Sequence, residues 1–565
     1  MNFVALATDY DGTLATEGRL DASSLIELKR LKAANKRLIL ITGRQMPDLK
    51  TVCDALALFD RVIAENGAVM YVPETQEYRL LGPRPPEPLL RLLRERGVSP
   101  LSVGDCIIAT WTPHEQEILS AIRELNLDWQ LIFNKGAVMC LPPGVNKASG
   151  LVAALESLNL SPHNVIGAGD AENDIAFLSD CGCSVAVANA LEPVKAMADI
   201  TMPLPRGAGV ARLARQWLED PATLFAALRR HDIYLGERAD GSGTVALPAT
   251  GSILIAGASG AGKSRLTRLL LERITEAHYQ LLVVDPESDY ANLEHFSHLG
   301  DASRTPAADE VVGMLAAVQG NVAVNLLATD VGQRASYFAD LLGRLNGLRS
   351  NAGRPHWLVL DEAHHLCPTG AQLTALPAQL DATVFISSRP DRLAREALDT
   401  VRTVITVGER AAEVLRSFCL LTDRSAPSGL TAPNEDQVLI WFGSDVSAAI
   451  VQVGRARQPH ARHVRKYAEG RLGDDNSFYF RGREGALNLK AYNLATFIDL
   501  AQGVDEDTWL FHLRRGDYSR WFRAVIKDEE LAREMAPLEA STDGAESRAT
   551  VAAAIKRRYI ITGLD

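Results

Sequence analysis

The chain has 565 residues, which at roughly 150 residues per domain is room for three or four domains. A hydrophobic share of 47% with 23% charged residues excludes wholesale disorder. The 59 basic and 70 acidic residues leave a formal charge of −11, which excludes a chain that coats nucleic acid or anionic membrane by bulk charge. Seven scattered cysteines read as reduced thiols of a cytoplasmic protein. The start, MNFVALATDYDG, has no basic leader, and the longest uncharged stretch, Gly241 to Gly262, is glycine-rich. Neither a signal peptide nor a membrane span is expected.

In chain order, short β-branched runs (FVALAT, RLILIT, RVIAEN, NVIGAGD, SVAVANA) alternate with amphipathic stretches up to about residue 220. Such alternation predicts a mostly parallel sheet covered on both faces. Residues 84–141 interrupt it and read as two αββ units, an inserted α+β lid between core segments 1–83 and 142–235. The segment GERADGSGTVALPATGS (236–252) is a composition break, placing a boundary near 235. A second α/β block, 245–455, carries apolar strands at SILIAG, QLLVVD, VAVNLL, WLVLDE, TVFISS and TVITVG. Residues 456–565 are richer in aromatic residues and read as a small, mostly helical module. It is entered by the basic strip GRARQPHARHVRK and ends in the helix-prone SRATVAAAIKRR.

Chemistry concentrates at strand ends. Asp9 and Asp11, in TDYDGTL, follow the first strand, where an open parallel sheet binds ligands. Gly12 permits a sharp turn, and Thr13 can hydrogen-bond locally. A calcium loop starting at Asp9 would need a glutamate at its twelfth position, which is Leu20. Thr42 closes RLILIT, Lys147 heads a helix in GVNKASGL, and Asp170 and Asp174 lie in IGAGDAENDIAF. A carboxylate nucleophile, a metal held by carboxylates, one lysine and a hydroxyl suit the cleavage of a phosphate ester.

The order and spacing of these motifs resemble the haloacid-dehalogenase (HAD) superfamily of phosphatases. The Cof-type, subclass IIB-like branch, with its cap between the second and third motifs, is the nearest match. AENGA (Ala64–Ala68) is similar to another of its recurrent segments. The resemblance covers about residues 1–220 and implies a Rossmann-like core with an inserted cap. It implies Asp9 as nucleophile, forming an aspartyl-phosphate, and Asp11 as acid and then base. Thr42 and Lys147 would hold the phosphoryl group, and a magnesium site would draw on Asp9, Asp11, Asp170 and Asp174.

The second block holds GASGAGKS, Gly257 to Ser264, between the strand SILIA and the helix RLTRLLLERI. This is a phosphate loop in the context it requires. Backbone N–H groups at Gly257, Gly260 and Gly262 would cradle ATP phosphates, Lys263 would reach the β/γ-phosphates and Ser264 the magnesium. WLVLDEAHHL ends a buried strand in two acids. Asp361 fits the magnesium-holding acid, and Glu362 fits the base that polarises the attacking water. Adjacent His364 and His365 point in different directions on a helix, which argues against a metal pair. VVDPESDY (Val283–Tyr290) and TVFISSRP (Thr383–Pro390), with the acid pair, resemble the HerA/FtsK group of hexameric translocases with a RecA-like core. That resemblance implies a homo-oligomer, with a hexamer as its form, and an arginine from a neighbouring subunit, for which Arg389 and Arg410 are candidates. Departures are the serines Ser387 and Ser388 where that group often has Gln or Asn, and the absent N-terminal β-barrel.

The expectation is therefore a bifunctional enzyme. A magnesium-dependent phosphatase for a small phosphorylated metabolite, such as a sugar phosphate, is joined to an ATP-hydrolysing motor or switch. The alternative is a hexamer that translocates double-stranded DNA, with the phosphatase as an effector on nucleotides or DNA ends, as in phage defence. A sugar kinase–phosphatase pair is disfavoured by Glu362 and the D-P-E segment. In the C-terminal module, the aromatics are expected to form a helical core and the arginines to pair with nearby acids.

Overall fold

The computed structural model describes residues 2–559 other than 135, 291–292, 318–319, 372–375, 377–379, 444, 455, 457–466, 468–471, 473–475, 483–484, 486 and 527. Most of the basic strip at 454–466 therefore lies outside the described residues. The chain divides into two compact units, Met1–Asp232 with Gly347–Arg354, and Ile233–Asn346 with Pro355–Asp565.

The first unit is built on an eight-stranded sheet. Its order is Ile200–Thr201, Cys183–Ala186, Val165–Gly169, Ala5–Asp9, Arg37–Ile41, Arg61–Ala64, Val69–Val72 and Glu77–Leu80. The strands from Ile200–Thr201 to Arg61–Ala64 are parallel and the last two antiparallel. Ala5–Asp9 is buried at all five positions, as expected of a strand covered on both faces. Its sheet neighbours are Arg37–Ile41, the next long strand in sequence, and Val165–Gly169, which comes more than a hundred residues later. The strand order therefore reverses at Ala5–Asp9, and the carboxyl end of this strand opens on the crevice where such sheets bind ligands.

Residues 84–141 form a second layer with its own apolar core. The helices Glu87–Glu95 and Glu115–Glu124 bury Leu89, Leu90 and Leu93, and Ile118, Ala121 and Ile122, at helical spacing. They pack with Ile108, Val138 and Cys140. The four-stranded antiparallel sheet runs Gln130–Asn134, Ala137–Leu141, Ile108–Trp111, Ser102–Val103.

The second unit has an eleven-stranded sheet, of which Val401–Thr406, Ser252–Ala256, Thr383–Ser387, Trp357–Leu360, Leu281–Asp285, Asn321–Asn325 and Phe296–Leu299 are parallel neighbours in that order. Four antiparallel strands, Gln437–Phe442, Ala449–Val453, Ile233–Arg238 and Thr244–Leu247, extend it beyond Val401–Thr406. Here the structure differs from the reading of 236–252 as a break with the block starting at 245. Ile233–Arg238 and Thr244–Leu247 are a hairpin of this sheet. Their alternating burial is that of an edge pair, and Gly236 sits where an added Cβ would lie 2.1 Å from the Gln452 carbonyl oxygen. The glycine marks a close backbone approach within a strand.

Beyond residue 476 the chain is mainly helical, with Leu494–Gly503, Glu506–Arg514, Asp517–Ala524, Glu529–Met535 and Gly544–Arg558, and a short strand pair Phe478–Phe480 and Leu489–Ala491. Phe478, Phe480, Phe497, Trp509, Tyr518, Trp521 and Phe522 are buried together in a core of its own. Among the described residues no helix is long and apolar enough to cross a membrane.

Candidate active sites

In the first unit three carboxylates gather at the carboxyl ends of two strands and in the turn that follows one of them, and a lysine meets two of them. Asp9 closes its strand and is 4% exposed. Lys147 opens the helix Lys147–Leu158, whose start is fixed by a capping box between Asn146 and Ser149. The capped turn delivers Lys147 Nζ to 2.6 Å from Asp9 Oδ1 and 2.5 Å from Asp174 Oδ1. Asp174 Oδ2 accepts from the backbone N–H groups of Asp170 and Ala171, both at 2.9 Å. Asp170 Oδ1 accepts from the Thr13 hydroxyl at 2.9 Å. The hydroxyl of Thr13 thus reaches 157 residues along the chain, where local bonding was expected.

Oxygens of Asp9, Asp170 and Asp174 lie within 4.8 Å of one another, and all three residues are buried. Burial and the carboxylate of Asp174 push the Asp9 carboxyl well up, with Lys147 pulling the other way. Burial works against a charged Lys147, but Asp174 and Asp9 outweigh it and hold the ammonium protonated. Three buried carboxylates against one ammonium leave an uncompensated negative charge, and an all-oxygen donor set fits a hard divalent cation such as Mg2+.

Asp11 lies outside this cluster. Its carboxylate is gripped by Arg44, from Nε at 2.6 Å and Nη2 at 2.8 Å, and Arg44 also bonds Asp48 at 2.6 Å. Asp11, expected among the metal ligands, is not one of the three acids whose oxygens converge, and a neighbouring guanidinium takes both of its oxygens. Thr42 follows Ile41, the sheet partner of Asp9, is 1% exposed, and accepts from the Arg44 N–H at 3.1 Å. Arg44 escaped the motif reading although it stands two residues after Thr42.

AENGA joins the core to the inserted layer. Glu65 is 1% exposed, and its carboxylate accepts the N–H groups of Asp105 (2.9 Å), Cys106 (2.8 Å) and Ile107 (3.2 Å). Replacing Glu65 by Ala leaves three donors of this turn unpaired, each worth about 1–3 kcal/mol if it stays buried. Faster amide exchange at Asp105–Ile107 and a raised phosphatase KM are the expected results. Asn66 donates to the Met139 sulfur and accepts from Asn173 at 2.9 Å. At Gly67, φ is +105° and an added Cβ would lie 1.8 Å from the Asn146 carbonyl oxygen, beside the Lys147 cap. Gly67→Ala is expected to destabilise the first unit by about 2–4 kcal/mol, measured by denaturant unfolding.

In the second unit the helix Lys263–Glu276 starts at the loop Gly257–Gly262. Gly260 and Gly262 have φ of +82° and +103°, whereas a Cβ on Gly257 would press on Val407 at 2.7 Å. Ser264 is the helix's second residue, and Lys263 Nζ donates to the carbonyls of Gly257 (3.0 Å) and Ala258 (3.1 Å). Asp361 is 4% exposed, and its Oδ2 is buried without a hydrogen-bond partner. Burial and the carboxylate of Asp289 push its carboxyl well up. Glu362 adopts φ +38°, ψ +50°, a strained left-handed conformation for a non-glycine residue. Its carboxylate accepts from Ser388 Oγ at 3.2 Å and lies 3.3 Å from His364 Nδ1. His364 Nδ1 is also 3.1 Å from Ser387 Oγ, and burial lowers both His364 and His365 to about 4. His364 thus ties the strand end at Ser387 to Glu362.

A second carboxylate cluster was not anticipated. Asp285 and Asp289, noted in sequence only as part of a family-like stretch, join Asp361 with ligand oxygens within 4.8 Å. Burial, then Asp289, push Asp285 up to about 7, against backbone hydrogen bonds that pull it down. Arg389 bonds Asp391 and Arg410 bonds Glu413, both exposed local pairs.

In the C-terminal helices a cleft of about 610 Å³ is lined by Tyr479, Arg481, Phe511, Arg515, Arg520 and Trp521, among others. Arg481 stacks on Tyr479 at 5.2 Å and Arg515 on Phe511 at 5.0 Å. Asp517 lies 3.4 Å from both Arg515 and Arg520. Asp517 thus faces two arginines beside the aromatic core.

A family model described as haloacid dehalogenase-like hydrolase matches residues 6–101 and 102–213, and one described as AAA ATPase domain matches residues 242–386. Among similar proteins is a phosphoglycolate phosphatase of Methanothermobacter thermautotrophicus, 28% identical over 223 residues, 38% of this chain and 98% of that protein. Those of Aeropyrum pernix (31% over 222 residues; 38% and 92%) and Haloarcula marismortui (32% over 206 residues; 34% and 88%) are also similar. Through residues 6–213 the chain belongs to the haloacid dehalogenase-like hydrolases, and it joins that phosphatase domain to an AAA ATPase domain.

Proposed function

We propose that the first unit hydrolyses a small phosphomonoester through an aspartyl-phosphate on Asp9. The observation that carries this is Lys147 Nζ between Asp9 and Asp174 at a buried strand end. An Asp9 oxygen attacks phosphorus, the ester P–O bond breaks, and the leaving oxygen takes a proton from Asp11. Water then gives a proton to Asp11 and attacks the same phosphorus, releasing inorganic phosphate and restoring Asp9. For either transfer Asp11 must turn from Arg44 toward the reacting oxygen. Lys147 and the Thr42 hydroxyl hold non-bridging phosphoryl oxygens. A Mg2+ held by Asp9, Asp170 and Asp174 supplies neutralisation of phosphoryl charge.

The layer at 84–141 serves as the cap, held over the core by Glu65. The relatives' names favour a small carboxylated phosphomonoester such as phosphoglycolate over a sugar phosphate. Phosphate release from a panel containing both classes tests this. Preference for hexose phosphates would reverse the choice, and release from neither would overturn the phosphatase reading.

The second unit hydrolyses ATP as a motor or switch, with Lys263 on the β/γ-phosphates, Ser264 and Asp361 toward Mg2+, and Glu362 orienting water. The D-P-E segment before Tyr290 and the polar strand end at Ser387 support a HerA/FtsK-like assembly. ATP turnover stimulated tenfold or more by long double-stranded DNA, about 1.4 kcal/mol of coupling, would make it a DNA translocase. A flat response would assign a switch acting on the phosphatase.

A further inference from the structure

We infer that Asp285, Asp289 and Asp361 form a divalent-cation site that is complete before nucleotide arrives. In the usual P-loop arrangement the chain offers a loop Ser/Thr and one strand-end acid, and the phosphates of ATP supply much of the cation's shell. Here three acids from two adjacent strand ends converge.

Leu281–Asp285 and Trp357–Leu360 pair in parallel with Val284 opposite Leu360, and the Asp361 N–H donates to the Val284 carbonyl at 3.0 Å. Asp285 and Asp361 therefore leave the sheet side by side, 2% and 4% exposed. The turn after Asp285 closes on itself. Asp285 Oδ1 accepts from the Glu287 N–H at 3.2 Å and Oδ2 from the Tyr290 N–H at 2.8 Å. That closure swings Asp289 back over the strand ends. Its position is fixed from the phosphate-loop helix, where Arg268 Nη2 donates to the Asp289 carbonyl oxygen at 2.9 Å.

One oxygen from each of the three carboxylates then lies within 4.8 Å of the others. Independently of that clustering, Asp361 Oδ2 is buried with no hydrogen-bond partner, a costly state for a carboxylate oxygen unless a cation takes it. The first unit offers an internal comparison. Its triad, whose ligand oxygens also lie within 4.8 Å of one another, has Lys147 as partial counter-charge. In the second triad the buried guanidinium of Arg334 acts on Asp285, and a bound ion would add further positive charge. Oxygen-only donors select Mg2+ or Mn2+ over softer metals.

The inference deepens the ATPase reading, and its test separates the two. Mn2+ is titrated into the full chain without nucleotide, and free Mn2+ is counted by its paramagnetic resonance signal. Wild type should bind two equivalents. Asp170→Asn, which disables the first triad, should keep one, and adding Asp289→Asn should weaken that one at least tenfold. The Asp170→Asn chain decides alone if the double variant fails to fold, because its second triad is intact. No Mn2+ bound by Asp170→Asn at millimolar concentration, with ATP hydrolysis preserved, overturns the inference and leaves the ATPase reading standing. One equivalent bound with no ATP hydrolysis does the reverse.

Discussion

Asp9→Asn is expected to lower phosphatase turnover at least about ten-thousandfold, some 5 kcal/mol of barrier, while ATP hydrolysis changes less than twofold. The amide has the shape of the carboxylate and none of its nucleophilicity, so the loss is one of chemistry rather than packing. A second signature separates this account from simple damage. Asp9 is one of three buried carboxylates grouped beside a single ammonium that bonds two of them, so removing its charge relieves repulsion in the metal-free protein. In chelator the variant should therefore unfold at a higher temperature than wild type, and added Mg2+ should reverse the order by stabilising only the intact triad. A variant that loses phosphatase activity and also melts lower in chelator would contradict this reading of Asp9. Loss of both activities together would sink the assignment of two separate sites.

Lys263→Ala is expected to reduce ATP hydrolysis by about a hundredfold to a thousandfold, the usual cost of removing one electrostatic contact to a transferring group, with phosphatase activity retained. Lys263 now spends its hydrogen bonds on the carbonyls of Gly257 and Ala258. Phosphate oxygens would replace those carbonyls with a stronger, charge-assisted partner. Glu362→Gln should produce a similar loss in turnover while leaving ATP affinity near wild type, because Glu362 is assigned to water and not to nucleotide. Parallel measurement of nucleotide affinity and turnover distinguishes the two variants. A Glu362→Gln chain that hydrolyses ATP at the wild-type rate would remove Glu362 from the mechanism.

Much of each site was legible because its motifs are local. Asp9 follows an apolar strand, Lys147 heads a helix with its cap in the same few residues, and the phosphate loop lies between a strand and a helix. These are relations over a handful of residues, and apolar periodicity with turn chemistry encodes them. The insertion was readable for the same reason, since its helices and strands carry their own spacing.

The relations missed are between segments far apart in sequence. Thr13 reaching Asp170, Arg44 closing on Asp11, and Glu65 receiving the turn at Asp105–Ile107 depend on which strand ends lie side by side. The hairpin Ile233–Leu247 was read as a composition break, because its glycines give no strand pattern until a partner strand is known.

The amino-acid sequence by itself therefore determined that this protein carries a haloacid dehalogenase-like phosphatase core and a phosphate-loop ATPase block. The order of strands in each sheet was decided only by tertiary structure, and with it which acids share a space. Asp361 stands out in one dimension as the acid ending a buried strand, whereas Asp285 and Asp289 do not; parallel pairing of two buried strands brings oxygens of all three within 4.8 Å of one another. Strand pairing is settled by burial of whole faces against one another, and no local pattern carries that information.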